Sequence, residues 1–249
     1  MHILRHKQVS FFAPYYQKTL AGFTLLEVLV AIFLTATALA ITFSLFHTIS
    51  KAWQRGIEAA DTLNHGEFVM EQLVQGLRSA FFPSSAGSGS GGQYGFRLED
   101  KGTGTYAKDV FSWVKTGLLV LNMDDPLSEG LHRLQVSVES DEDGNNCVAV
   151  RAWRPFVNND DLETSLLPPF FITDKVVGMN CRVSTNRTDD GWQWQETWED
   201  DATNHLPDTI ELTLYMKPLE KNGEPVELKR FVEIPLAPLS WSKKERHRK

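Results

Sequence analysis

Residues 22–34 read GFTLLEVLVAIFL, and Glu27 is the one residue in the run that does not belong to an apolar helix. From Phe23 to Phe46 no other side chain is ionisable. Twenty-four residues at about 1.5 Å each span roughly 36 Å, enough to cross the hydrocarbon core of a bilayer. A carboxylate inside such a span costs roughly 2.5–3.5 kcal/mol on insertion scales, so the sequence should compensate it or use it. Residues 1–22 hold Arg5, Lys7 and Lys18 and no acid, which places the amino-terminal side in the cytoplasm. The small pair Ala21-Gly22 stands before the apolar run, whereas a secretory signal places its small residues after a shorter one. Cleavage at Gly22 would therefore leave the anchor on the mature chain.

The remaining composition is that of an ordinary globular protein: 249 residues, 42% hydrophobic and 23% charged. The formal charge is −7, and both ends are basic. Removing +3 for residues 1–22 and +4 for KKERHRK (243–249) leaves −14 on the body, a poor general nucleic-acid binder. Residues 241–249 read as a basic, solvated tail. Past Phe46 the apolar residues Ile49, Trp53, Ile57, Ala60, Leu63, Met70, Leu73, Leu77 and Phe81 recur at three or four, with one gap of seven. No proline occurs between Phe23 and Phe82, and Pro83 closes the pattern, so the helix is expected to continue amphipathically over 47–82. A continuous helix of that length would run about 90 Å. Gly56, Gly66 and Gly76 interrupt it, and Asn64-His65-Gly66 is the expected bend. Residues 83–92 (PSSAGSGSGG within the loop) read as a flexible linker without the lysine of a phosphate-binding loop.

From Tyr94 the period falls to two. YGFRL, VFSWV, LLVLNM, LHRLQVSVE, CVAVRAW, KVVGMNCRVS, WQWQETW, TIELTLYM and KRFVEI read as strands of a β-rich domain over 93–240. In TIELTLYM, Ile210, Leu212, Leu214 and Met216 share one face, and Glu211, Thr213 and Tyr215 the other, as in a sheet with one dry and one wet side. The stripe Met70, Leu73, Leu77 and Phe81 is the expected cover for the dry side. The fold class is therefore α+β: a long N-terminal helix, partly transmembrane, packed on an antiparallel sheet domain.

Candidate chemistry is sparse. The seven histidines are scattered without a metal-ligand spacing, and no G-x-S-x-G elbow occurs. DEDGNN (141–146) alternates oxygen side chains around Gly144 but lacks the twelfth-position glutamate of a calcium loop, so a hairpin turn is expected. NDD (159–161) and EDD (199–201) read as solvated acidic loops. Cys147 and Cys181 are too few for a disulfide framework; one disulfide or two small buried residues are both open readings. Trp192, Trp194 and Trp198 alternate along one expected strand, either as core against the helix or as an exposed recognition patch. No residue set calls for a metal or cofactor.

GFTLLEVLVA resembles the type IV prepilin signature: a glycine, a phenylalanine that becomes the first mature residue, and a glutamate four positions later. The resemblance implies a pilin-like fold, cleavage by a membrane prepilin peptidase between Gly22 and Phe23, and methylation of the Phe23 amine. It also implies a use for Glu27, which would meet the amine of a neighbouring subunit during filament assembly. DDGWQWQETWEDDATNHLPDTIELTL (189–214), followed by KRFVEIPLAP, resembles the C-terminal part of the minor pseudopilin J family of type II secretion systems. Gly191, Trp192, Trp198, Leu206, Pro207, Ile210, Glu211 and Leu212 carry that match. It implies a noncatalytic subunit near the tip of a periplasmic pseudopilus, anchored once in the inner membrane. Its partners would be I- and K-type minor pseudopilins, the major pseudopilin, the peptidase and membrane lipid, with no nucleic acid. A minor pilin of a type IV pilus is the near alternative. A membrane-tethered periplasmic enzyme or carbohydrate binder is the distant one.

Overall fold

The computed structural model describes residues 22–83, 93–117, 120, 126–155, 164–185, 187–188, 191–198, 205–220 and 223–240. Residues 1–21 of the leader, the Gly/Ser linker beyond Pro83, both NDD and EDD, and the basic tail lie outside them, as does LLVLNM apart from Val120. The chain divides into two compact units, Met1–Ala52 and Trp53–Lys249.

Helix α1 runs from Leu25 to Arg78. It is long and apolar enough to cross a membrane, with mean hydropathy 2.4 over an 18-residue window of which nothing is buried. In the first unit every residue from Gly22 to Ala52 is exposed. Four threonine hydroxyls in this apolar stretch, those of Thr35, Thr37, Thr42 and Thr48, donate to the carbonyl four residues back at 2.7–2.9 Å. Polar groups facing hydrocarbon are satisfied within the helix in this way.

No break occurs at Asn64-His65-Gly66. Gly66 is instead a point of close approach, where a Cβ would stand 2.6 Å from Leu228 Cδ1 and 2.9 Å from Met216 Sδ. Gly76 serves the same end: Trp113 packs over it and donates from Nε1 to its carbonyl at 2.9 Å. The helix also stops four residues before the expected Phe82. There the backbone turns to pair with a strand, Phe81 N donating to Val114 O at 2.7 Å. Phe81 is consequently only half-buried, edge-on to Tyr94, and Phe82 is the buried member of the pair.

Among the described residues, the second unit holds three antiparallel sheets. Strands β1 (Arg97–Glu99), β2 (Val110–Lys115), β3 (His132–Ser140), β4 (Asn146–Trp153) and β5 (Phe170–Thr173) pair in that order. Strands β6 (Val176–Ser184), β9 (Thr209–Met216) and β10 (Val226–Glu233) form a second sheet with β9 central. Strands β7 (Arg187–Thr188) and β8 (Gly191–Trp192) make a small hairpin, and a short helix α2 (Ala237–Ser240) follows β10. The observed class is α+β, one long N-terminal apolar helix plus antiparallel sheets. One apolar cluster joins Val69, Met70, Leu73 and Leu77 of α1 to inward residues of both large sheets, among them Leu134, Val150, Leu212 and Leu214.

Two strand expectations are corrected. WQWQETW is not a continuous strand: Trp192 ends β8, Gln195 alone bridges Val183, and residues 196–197 bend. The bend carries Trp198 away from its neighbours into the core, edge-on to Phe96 at 6.3 Å. The wet face of β9 is not wet either, since Glu211 is 4% and Thr213 2% exposed. A central strand has neighbours on both sides, and Arg182 of β6 and Lys229 of β10 lie across it. The DEDGNN stretch forms the β3–β4 turn, with Gly144 at φ 80° and Asp141 accepting from Asn145 N at 2.7 Å. Asp109 clips the loop before β2 to β6, its two oxygens accepting from Lys101 N at 2.9 Å and Cys181 N at 2.8 Å.

Candidate functional site

At the start of α1, Phe23 is 80% exposed and Glu27 lies in the first turn. Val28 N donates to Thr24 O at 3.2 Å, the first bond of the helical ladder. Glu27 N donates to Thr24 Oγ1 at 3.3 Å. Thr24 is thus the N-cap and Glu27 the third helical residue, the spacing of a capping box. A negative charge there also faces the positive end of the helix dipole, a favourable contact typically worth 0.3–1 kcal/mol near a surface. The lone carboxylate therefore stands at the favourable end of the helix dipole, in addition to the intersubunit role implied by resemblance. Sequence reading singled out Glu27 and passed over Thr24. The signal was present in Thr24-x-x-Glu27, hidden because the residues between and after belong to an apolar run.

The residues matched to the second motif divide by environment. Leu206, Ile210 and Leu212 are fully buried and Pro207 is buried beside them. The segment before β9 is latched to α2: Leu206 N donates to Ser240 Oγ at 3.0 Å, and His205 Nδ1 lies 2.6 Å from Ser240 O. Glu211 stands between two cations, accepting from Arg182 Nε at 2.9 Å with Lys229 Nζ 3.8 Å away. Gly191 adopts φ 118°, a conformation open to glycine, at the start of β8.

The three tryptophans do not share a surface. Trp192 and Trp194 are half-buried with ring centroids 6.2 Å apart, and Trp194 lies 5.7 Å from Phe231. Arg182 sits 5.8 Å from the centre of the Trp194 ring. Trp198 belongs to the core, whereas Trp192 and Trp194 are half-buried beside Phe231 and Arg182.

Cys147 and Cys181 are both free and buried, and no disulfide joins them. They belong to different sheets. Cys147 Sγ lies 3.6 Å from Asp141 Oδ2, whereas Cys181 is sealed in the core with its thiol pushed well up by burial. Among the described residues no group of three or more His, Cys, Asp or Glu side chains could hold a metal ion. Lys115 is wholly buried, burial pushes its amine down to about 8, and Nζ donates to Gly117 O at 2.7 Å. Arg133 is pushed down to about 9 by burial and then by Arg97, while donating to Ser112 Oγ, Gln93 O and Gly95 O. That geometry ties the chain at 93–95 to β3.

No protein-family model matches the chain, and a search of curated proteins returns no match.

Proposed function

We propose that the chain is a noncatalytic, membrane-anchored assembly subunit of pilin-like architecture, a minor pseudopilin of a type II secretion system acting near the pseudopilus tip. The observation that carries this reading is the start of α1: a glutamate in the first turn of a Thr24-capped apolar helix that is exposed throughout residues 25–52, four residues after Phe23. The apolar helix holds the subunit in the inner membrane, with the β-rich unit in the periplasm. The Phe23 amine, released by a prepilin peptidase and methylated, and Glu27 of a neighbour then attract one another. Within a low-dielectric helix bundle each offsets the cost of burying the other. The partners are I- and K-type minor pseudopilins and the major pseudopilin.

Intact mass and N-terminal sequencing of protein from membranes of its native host test the reading. The expected chain begins at Phe23 with a methylated amine. An uncut chain, or a different first residue, overturns it. Glu27→Ala is expected to insert in the membrane normally and to lose co-assembly with sibling subunits; unimpaired assembly would remove the charge-pairing step.

A further inference from the structure

Strands β6, β9 and β10 turn one face to the core and the other outward. Arg182, Glu211 and Phe231 stand in register across the outward face, their chain neighbours Cys181, Leu212 and Val232 being fully buried on the inner one. Trp194 lies over this row, its ring centre 5.7 Å from that of Phe231 and 5.8 Å from the Arg182 guanidinium. Trp192 continues the array 6.2 Å beyond Trp194. Successive rings are inclined by 42° and 32°, nearer parallel than edge-on, so the array offers ring faces along its length. Phe231 at its end is 55% exposed. The arrangement is held before any ligand arrives: Arg182 Nε donates to Glu211 at 2.9 Å, and the guanidinium so fixed holds the Trp194 indole. Rings already fixed lose little freedom on binding.

We infer that this array binds a neutral polysaccharide chain, with pyranose rings stacked on Phe231 and the indoles and hydroxyls turned to the polar side chains beside them. The flat side of a pyranose carries C–H bonds whose small positive charge suits the negative face of an aromatic ring. Charge selects a neutral ligand. Arg182 pairs with Glu211, and Lys229 lies 3.1 Å from Glu227 and 3.8 Å from Glu211, so two cations meet two carboxylates and neither sign is in excess among them. Anionic headgroups find no net attraction in such a set. Size argues against a protein partner. Three aromatic side chains of about 150–250 Å² each, two of them half-buried, leave on the order of 250 Å² of ring surface, whereas a stable protein interface takes about 800 Å² per partner. The remainder would come from ion pairs already made within the sheet, and charged residues are depleted from interface cores. A run of sugar rings matches an array of separate aromatic faces. The inference does not rest on the assembly reading, since neither Phe23 nor Glu27 takes part.

The test uses the full-length chain in lipid nanodiscs, because glycoside detergents would compete, titrated calorimetrically with cellohexaose, chitohexaose and maltohexaose. At least one hexasaccharide is expected to bind, roughly tenfold or more tighter than its monosaccharide, as stacking on more than one ring requires. Phe231→Ala is expected to weaken that binding by about tenfold, and Trp194→Ala plus Phe231→Ala to abolish it, while Phe231→Tyr preserves it. Phe231 is exposed, and unchanged circular dichroism and melting of Phe231→Ala check the fold. No binding of any of the three hexasaccharides, or binding that survives the double substitution, overturns the inference. So does tighter binding of an anionic hexagalacturonate, a sibling subunit released by Phe231→Ala, or a Phe231→Cys label quenched by lipid-soluble but not aqueous quenchers. Failure here with Phe23 correctly processed would leave the assembly reading standing.

Discussion

Single residues carry sharply different loads that their identities do not announce. Gly66 and Gly178 are both buried glycines, yet a Cβ at Gly66 meets the flexible ends of Leu228 and Met216, whereas at Gly178 it meets the backbone carbonyls of Thr105 at 2.3 Å and Ala107 at 2.8 Å. Gly66→Ala is expected to change stability by less than about 1 kcal/mol, because helix propensity gains roughly what repacking loses. Gly178→Ala is expected to cost about 2–3 kcal/mol and to detach the loop before β2. Urea unfolding of both variants checks the contrast, with amide exchange at Met179, whose N–H donates to Ala107 O at 2.7 Å, locating the loss. Glu139 offers a pH-dependent case. Arg151 bonds to both its oxygens, and this contact first, ahead of Ser137, holds its carboxyl below the usual range. The folded value lies below the unfolded one of 4.5, so the stabilisation is present above pH 4.5 and is lost as pH falls through the folded value. Glu139→Gln should therefore cost about 1–2 kcal/mol at pH 7 and progressively less below pH 4.5, read from melting curves across that range.

At the scale of elements, α1 shows how far a pattern can be read. The three-and-four spacing of Met70, Leu73 and Leu77 gave the buried stripe, because a helix face is a property of local repeat alone. Its end at Arg78 was not legible: Ser79 to Phe82 are as apolar as what precedes them, and the β2 strand captured their backbone. Leu73→Ala is expected to cost about 2–5 kcal/mol, since Leu73 is fully buried between α1 and the sheets, and chemical denaturation checks it. Thr24→Ala should fray the first turn at a cost of about 1 kcal/mol without touching the second unit, visible as faster exchange at the Glu27 amide. Thr24→Ser should restore protection. Alternation similarly located β3, β4, β6, β9 and β10. It failed at 192–198, where the same spacing served a bend that sends Trp198 inward and leaves Trp194 on Phe231. Strand β5 was missed because Phe170–Thr173 follows two prolines and is too short to display a period.

Taken whole, the second unit is stabilised by its packing and not by cross-links. Both thiols are buried, so dithiothreitol is expected to leave the melting temperature unchanged, and titration after denaturation should find two free thiols per chain. A shift under reduction would show that the cysteines pair in the cell. The sequence by itself determined the apolar helix with its single acid, the change of period after the linker and the α+β class. Each of these follows from residue spacing along the chain, and spacing is local. Tertiary structure decided which features face something: Gly66 as a contact instead of a bend, Glu211 buried between Arg182 and Lys229, and Trp198 in the core. Those outcomes depend on what lies across from a residue, and in this chain groups that meet stand as far as 163 positions apart, as Glu67 and Arg230 do.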